Sequence, residues 1–254
     1  MRIAAVGDIH LGEDSRGRWR PALAELPGRA DVLLLAGDLT RHGAPDEATV
    51  VAEEFGDCGV PVIAVLGNHE YHDDAQGEVT ALLVDAGITV LEGTSTRVEI
   101  DGASLGIAGT KGFGGGFAGK CASAFGEPLM REFARHGAEL AESLDRALGD
   151  LDTDVTIALT HYSPVSDTLH GEPPEIYAFL GSYLLGEAID AHPVDLALHG
   201  HAHAGTEHGT TPGGIRVRNV AHPVLRAAYA IYELGPARSA TSAERRITGR
   251  ALAG

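Results

Sequence analysis

The chain has 254 residues, and 44% of them are hydrophobic, so it can bury a large core and is not an intrinsically disordered protein. Aspartate and glutamate number 36 against 19 lysines and arginines. The resulting net charge of −17 argues against a broad surface that follows nucleic-acid phosphates. The two cysteines, Cys58 and Cys121, form neither a disulfide framework nor a paired zinc motif, so we expect a reducing, cytoplasmic location.

Membrane and targeting signals are not expected in this sequence. No apolar run reaches the roughly 18 residues that a membrane-spanning helix requires. The first strand-like run turns polar at Gly7 and Asp8, which argues against a cleaved signal peptide. No repeat or linker composition divides the chain. We predict a single domain over residues 1–236, followed by a polar tail over 237–254 that frays.

The first part of the chain alternates short apolar runs with helical segments. Continuous apolar runs at 3–6, 32–36 and 62–66 predict strands that are buried on both faces. Helices are predicted at 45–55, which begins with proline and acidic residues, and at 76–85. Runs at 89–91, 96–100 and 104–108 have hairpin spacing, with Asp101 and Gly102 as the tight turn.

The second part of the chain continues this alternation. It predicts a helix at 128–148, buried strands at 155–160 and 194–198, and hairpin-like runs at 215–220 and 229–234. The glycine-rich stretch 111–127 and the proline-containing stretch 163–181 lack a regular pattern, and such long loops are either functional or mobile surface. The pattern as a whole predicts an α/β fold with a mixed sheet, or with a second sheet packed on the first.

Side chains that can bind a metal ion follow each of the five buried strands. Because the carboxyl ends of parallel strands converge on one crevice, we expect these side chains to meet there. A glycine precedes several of them and allows the backbone to turn sharply as it leaves the strand. In chain order the side chains are Asp8, His10, Asp38, Asn68, His69, Glu70, His161, His199, His201 and His203.

Seven of these side chains form a candidate ligand set with four imidazoles, two carboxylates, one amide oxygen and no thiolate. The set is too large for one tetrahedral zinc ion, but it suits two ions about 3.5–4 Å apart that share a carboxylate. We predict Asp38 as the shared ligand. Two divalent cations would make the local field positive, so an acidic protein could hold an anionic substrate. The seven are Asp8, His10, Asp38, Asn68, His161, His201 and His203.

Taken singly, several motifs also have structural explanations. Gly-Asp pairs at Gly56 and Gly149 are typical of helix ends, and an Asp-x-His pair after a strand can be a turn or a helix N-cap. Neighbouring imidazoles at His201 and His203 are harder to explain by packing. The order and placement of all the motifs together favour the metal site. Five other histidines are interpreted as surface or supporting residues: His42, His72, His170, His208 and His222.

In this order, the motifs resemble those of the calcineurin-like metallophosphoesterase family, and especially its bacterial cyclic-nucleotide phosphodiesterase-like branch. The resemblance spans residues 8–203. It implies an α/β fold in which two packed mixed β-sheets are flanked by helices, a four-layer αββα sandwich. The matching motifs are Asp8-x-His10, Gly37-Asp38, Gly67-Asn68-His69-Glu70, His161 and Gly200-His201-x-His203.

The resemblance also implies a role for each matched residue. His69 would stay outside the ligand set and act beside the scissile phosphate, as an acid or as an electrostatic clamp. The implied cofactors are two divalent or mixed-valence ions of Mn, Fe or Zn. The ligands would divide into Asp8, His10 and His203 for one ion and Asn68, His161 and His201 for the other, with Asp38 bridging both.

The resulting hypothesis is hydrolysis of a phosphate ester by a hydroxide that bridges the two ions, with His69 protonating the leaving oxygen. The favoured substrates are small or cyclic-nucleotide phosphodiesters. Their base would stack on a loop aromatic such as Phe113, Phe117 or Tyr162.

Three alternatives stay open beside this hypothesis. Phosphomonoester hydrolysis and DNA cleavage occur in the same family, although the lack of a basic stripe disfavours extended nucleic-acid binding. A non-catalytic, metal-organised interaction module is the third alternative. Such proteins usually lose the catalytic histidine or the ligands, which this chain retains. The oligomeric state is open and includes a dimer.

Overall fold

The structure is a computed structural model that describes residues 1–235. The expected tail over 237–254 and the expected domain boundary at residue 236 lie outside the described residues. The strands are β1 (Arg2–Val6), β2 (Val32–Ala36), β3 (Val62–Val65), β4 (Thr89–Val90), β5 (Thr94–Ile100), β6 (Ala103–Thr110), β7 (Gly116–Phe117), β8 (Lys120–Cys121), β9 (Val155–Thr160), β10 (Leu196–His199), β11 (His208–Thr210), β12 (Arg216–Asn219) and β13 (Ala230–Glu233).

The helices pack mainly on the outer faces of the sheets. They are α1 (Arg20–Leu23), α2 (Leu26–Arg29), α3 (Pro45–Phe55), α4 (Gln76–Asp85), α5 (Pro128–Gly149), α6 (Tyr177–Leu180), α7 (Tyr183–Asp190) and α8 (His222–Leu225). Short 3₁₀ turns cover Glu13–Ser15, His69–Tyr71, Asp167–Leu169 and Pro174–Ile176. No helix among residues 1–235 combines the length and the apolar character needed to cross a membrane.

Two mixed sheets form the centre of the molecule. The first has the strand order β13-β1-β2-β3-β4, in which only the edge strand β13 is antiparallel to its neighbour. The second has the order β11-β12-β10-β9-β6-β5, with three central parallel pairs and an antiparallel pair at each edge. The carboxyl ends of β1, β2 and β3 therefore lie at one edge of the first sheet, and those of β9 and β10 at one edge of the second.

The apolar sequence of β2 explains how the layers are held together. Successive side chains of a strand point to opposite faces, so the run Val32–Ala36 contributes to two separate cores. Leu33 and Leu35 pack with the helices outside the first sheet, and Leu34 packs between the sheets against residues such as Ile157. On the far side, α5 and α7 cover the second sheet. The order of layers is thus helix, sheet, sheet, helix, and the expected αββα arrangement is confirmed.

Most predicted elements are confirmed to within about two residues. Helices α3 and α4 have the predicted bounds, and α5 is one residue longer. At the predicted hairpin turn, Asp101 and Gly102 have φ values of 51° and 81°, which suit a tight two-residue turn between antiparallel strands. The sequence interpretation missed α7, and the loops at 111–127 and 163–181 contain the short elements β7, β8 and α6.

Candidate metal centre

The edges of the two sheets bring the predicted ligands into two overlapping groups. In each group, one ligand atom from every member lies within 4.8 Å of the others. Asp38 is the member that both groups share. The groups are Asp8, His10, Asp38 and His203, and Asp38, His161 and His201. Asn68, the remaining predicted ligand, places its side-chain oxygen 3.0 Å from His161 Nε2, so all seven side chains lie at one centre.

The backbone is strained where it presents these side chains. Four of the seven residues have left-handed conformations, with φ values of 56° at Asp8, 44° at His10, 50° at Asp38 and 70° at His201. This region is uncommon for residues other than glycine, although aspartate and histidine tolerate it better than most. Strain of this kind persists only where the surrounding structure imposes it, and it clusters at functional sites.

Two of the motif glycines are needed for space and not for turning. Gly67 and Gly200 lie outside the left-handed region, so the expected reason for these glycines is wrong at both positions. A Cβ atom at Gly67 would overlap the carboxylate of Asp38, and one at Gly200 would overlap that of Asp8. The two carboxylates therefore pass directly over glycine backbone, and any side chain there would displace them.

The first group is organised around a buried carboxylate. Asp8 is 2% exposed; it accepts a hydrogen bond from the backbone N–H of His201 and lies 2.9 Å from Nε2 of His203. Burial acts to raise the pKa of Asp8, but the contact with His203 and the surrounding imidazoles hold it below its usual value. His10 Nε2 lies 3.4 Å from Nε2 of His203 and 3.8 Å from Asp38 Oδ2.

The second group shows most directly that a cation fits. His161 Nδ1 lies 2.9 Å from the carbonyl oxygen of Ala36, and His201 Nε2 lies 3.2 Å from that of Phe179. Each of these ring nitrogens must carry the proton, because a carbonyl can only accept. When both rings are neutral, the other two nitrogens, His161 Nε2 and His201 Nδ1, face each other at 3.1 Å with lone pairs on both.

Facing lone pairs in a buried site repel each other unless a cation lies between them. Burial lowers the pKa of His201 to about 3, so protonation does not supply the missing positive charge there. The oxygen of Asn68 and Asp38 Oδ1, which is 3.3 Å from His161 Nε2, add further electron pairs at the same point. The donor set thus suits a divalent ion of borderline softness.

His69 lies beside the ligand groups in a fixed orientation. Its Nδ1 is 2.6 Å from the carbonyl oxygen of Arg41 and must donate to it, so Nε2 faces the centre at 3.7 Å from Asp38 Oδ2. Its backbone N–H donates to Asp38 Oδ1, and its ring packs edge-on against His10, with centroids 4.4 Å apart. The ring is therefore held by a backbone acceptor and a neighbouring ring, with one nitrogen directed into the site.

Glu70 supports the centre through hydrogen bonds to the loops that carry the ligands. It is completely buried, and its carboxylate accepts hydrogen bonds from the backbone N–H groups of Asp38, Thr40 and Gly67 and from the Thr40 hydroxyl. It thereby connects the loop after β2 to the loop after β3. These hydrogen bonds give Glu70 a supporting role at the site.

Aromatic side chains near the centre differ from the expectation. Tyr162 is only 7% exposed and packs against the ring of His201 with centroids 4.3 Å apart, and Phe117 packs onto a small core around Leu169. The Tyr162 ring is therefore not free to stack on a base as expected, whereas Phe117 is only partly buried. Phe179, which the sequence interpretation did not single out, holds His201 through its carbonyl and has a ring that is 59% exposed. Its only sequence signal is its position in the proline-containing loop.

Comparison with known proteins agrees with this geometry. A family model described as calcineurin-like phosphoesterase matches residues 1–205. The chain belongs to this family. The match includes all seven predicted ligands and His69, and it ends two residues after His203.

Proteins similar to this chain include a curated protein and two solved structures. The Caenorhabditis elegans protein named "Putative metallophosphoesterase F40B5.2" is 26% identical over 90% of this chain, which spans 41% of that relative's length. The crystal structure of phosphopantetheinyl hydrolase from Mycobacterium tuberculosis has a TM-score of 0.67 at 14% identity, covering 92% of this chain and 96% of that one. NAD nucleotidase from Haemophilus influenzae has a TM-score of 0.51 at 15% identity, covering 92% and 49% respectively. These structural likenesses establish the fold.

Proposed function

We propose that the protein is a dinuclear-metal phosphodiesterase that acts on small phosphodiesters, including cyclic nucleotides. The observation that carries the proposal is the pair of ligand groups that share Asp38. One carboxylate common to two sets of imidazoles is the arrangement that two ions about 3.5–4 Å apart require. In this proposal Asp8, His10 and His203 hold one ion, Asn68, His161 and His201 hold the other, and Asp38 bridges them.

The two ions would supply an activated water and would neutralise the charge that develops on the phosphoryl oxygens. The protein's own groups fix the geometry in which this happens. Hydrogen bonds to Ala36 and Phe179 select the ring nitrogens that His161 and His201 present. The backbone N–H of His201 and the glycine at 200 hold the carboxylate of Asp8. These contacts keep the ligands preorganised before substrate arrives.

His69 is proposed as the acid for the leaving group. In its protonated form Nδ1–H stays on the Arg41 carbonyl, and the Nε2–H points into the centre. A proton delivered from this position to the leaving oxygen would stabilise a poor alkoxide leaving group. A diester of an ordinary alcohol has such a leaving group, whereas an aryl ester has little need of the acid.

The two irregular loops favour a small substrate. The glycine-rich loop braces the proline-containing loop, because the N–H groups of Gly115 and Gly116 donate to the carbonyls of Ala178 and Gly181. The braced segment presents Phe179 at the edge of the centre. A compact wall of this kind suits one small organic substituent and offers no long basic channel for a duplex.

Metal analysis and a substrate panel test the proposal together. The purified protein is assayed for bound Mn, Fe and Zn and for turnover of bis(p-nitrophenyl) phosphate, p-nitrophenyl phosphate, a 3′,5′-cyclic nucleotide and duplex DNA. We expect two equivalents of metal and a higher kcat/KM on the small diesters than on the monoester or the duplex. Activity confined to monoesters, or efficient DNA cleavage without small-diester turnover, would reject the diesterase assignment and leave the metal centre standing. Absence of bound metal would reject both.

A further inference from the structure

A cationic cavity lies beside the metal centre. It has a volume of about 480 Å³, and its lining includes the predicted ligand His10, the chain's single tryptophan, Trp19, and the arginines Arg18, Arg41 and Arg226. The chain carries only 19 lysines and arginines against 36 acidic residues. The three arginines at this cavity are therefore a local concentration of positive charge in a chain that is acidic overall.

The loop that carries Arg18 is held rigidly from behind. The buried carboxylate of Glu54 accepts hydrogen bonds from the backbone N–H groups of Gly17, Trp19 and Arg20. A side chain mounted on a backbone fixed at three points loses little backbone freedom when it binds a ligand. The backbone that carries Arg18 is therefore preorganised, and within residues 1–235 the exposed Arg18 side chain makes no ion pair.

Arg226 and Arg41 complete the set of charges. Arg226 follows α8 in a left-handed conformation, with φ 52° and ψ 31°, and among the described residues it has no ion-pair partner. Arg41 is paired with the exposed Asp14 at 2.8 Å, and this contact, with a smaller effect from Arg18, lowers the pKa of the Asp14 carboxyl. Asp14 balances one arginine, so two positive charges remain at the cavity.

We propose that this cavity binds a second phosphate group, carried on the leaving-group side of the substrate. The inference rests on the proposed phosphodiesterase function, because it extends the substrate beyond the scissile ester. Two contacts place the cavity next to His69: the carbonyl of Arg41 holds its ring, and His10, which also lines the cavity, packs against it. The proposal places the substituent on the oxygen that His69 would protonate in this adjoining cavity.

Arginine suits this role because a guanidinium binds phosphate through two parallel hydrogen bonds and stays charged at any working pH. The proposed substrate class is thus a small phosphodiester that bears a further phosphate. Within this site the ions and the arginines would recognise two separate anionic groups.

The test measures affinity, so it does not depend on turnover. Isothermal titration calorimetry on Mn²⁺-loaded protein compares 1,3-propanediol bisphosphate with propyl phosphate, which lacks the second phosphate. Because hydrogen bonds between a guanidinium and a phosphate are charge-assisted and strong, we expect the bisphosphate to bind at least about tenfold more tightly. The double variant Arg18→Gln/Arg226→Gln should reduce this ratio to about twofold or less and leave the affinity for propyl phosphate unchanged.

Arg16→Gln is the matched control, since Arg16 lies in the same loop but is ion-paired with Glu53 at 2.6 Å outside the cavity. It should keep the wild-type ratio. Equal affinity of wild-type protein for the two ligands, no binding of either, or an undiminished ratio in the double variant would overturn the second-phosphate site. A tenfold ratio without any diester turnover would instead reject the proposed reaction and keep the site.

Discussion

Asp38 is the carboxylate common to both candidate ligand groups, so in the proposed centre its charge would act on two ions, whereas His10 belongs to one group. The substitution Asp38→Asn removes a shared negative charge and should therefore lower metal content more than His10→Ala does. Elemental analysis of the purified variants after dialysis measures this difference. Two retained equivalents and wild-type turnover in Asp38→Asn would show that Asp38 does not bridge.

Like His161 and His201, His69 has one ring nitrogen hydrogen-bonded to a backbone carbonyl and the other directed into the centre, but it belongs to neither ligand group. His69→Ala should lower kcat on an alkyl diester by a factor on the order of 10²–10⁴, the usual contribution of a general acid, while both metals stay bound. An aryl diester should be affected less, because its leaving group needs no proton. Loss of a metal ion would identify His69 as a ligand, and equal losses on both esters would reject the acid role.

His199 gives the metal-free protein a defined pH dependence. It is fully buried, and burial lowers its pKa from 6.5 to about 4. Between these values the unfolded state binds a proton that the folded state does not, so stability must fall as the pH falls from 6.5 to 4. The shift corresponds to a loss of about 3 kcal/mol in the free energy of unfolding.

Urea unfolding of EDTA-treated protein at several pH values measures this loss. His199→Gln should make the pH dependence less steep in this window, because the variant has no imidazole to protonate at that position. His208→Gln, which changes an exposed side chain, serves as the control and should leave the slope unchanged. An unchanged slope in His199→Gln would contradict the prediction.

At the scale of elements, one carboxylate joins two strand ends. Glu70 accepts three backbone N–H groups and one hydroxyl from the loops after β2 and β3. In Glu70→Gln an amide NH₂ would face a backbone donor, and a buried donor left unpaired costs about 1–3 kcal/mol. We expect urea unfolding to show a loss of at least that size and elemental analysis to show weaker metal retention. The exposed control Glu78→Gln should change neither property.

The elements that the sequence predicted best are those whose apolar pattern follows directly from their burial. Strand β2 reads as a continuous apolar run because both of its faces are covered, and β1 and β3 behave alike. Helix α7 was missed although Ser182 caps it and accepts a hydrogen bond from the N–H of Leu184. Because this cap directly follows an irregular loop, the sequence pattern did not separate the start of the helix from the loop.

The candidate site also has parts that the sequence predicts and parts that it does not. The order of ligands along the chain reflects strand ends, and a sequence shows strand ends directly. It does not show which aromatic rings become buried, because the burial of Tyr162 depends on packing with Leu185 and Val217 from distant elements. The cavity beside His10 is likewise assembled from Arg18, Arg41 and Arg226, which are far apart in sequence. Such sites follow from topology and not from local pattern.

At the scale of the whole molecule, the residues of the candidate metal centre come from both sheets. Asp8, Asp38 and Asn68 follow strands of the first sheet, whereas His161 and His201 follow strands of the second. The apolar core between the sheets does not include these ligands, so we expect the sheets to remain packed without metal. The ions would then add a polar connection at the edges of an already folded sandwich.

Metal binding should therefore raise stability in proportion to the logarithm of free metal concentration. An ion that binds only the folded state adds RT ln(1 + [M]/Kd), which is about 2.7 kcal/mol at a hundredfold excess over Kd. Urea unfolding of EDTA-treated protein across a Mn²⁺ titration measures this dependence, and circular dichroism without metal should still show a folded α/β protein. Asp38→Asn should lose most of the Mn²⁺ dependence, because both ions lose the ligand that they share. A metal-free chain that is unfolded would mean that the ions are part of the folding core itself, and an Mn²⁺ dependence unchanged in the variant would mean that the sheets are joined by ligands other than Asp38.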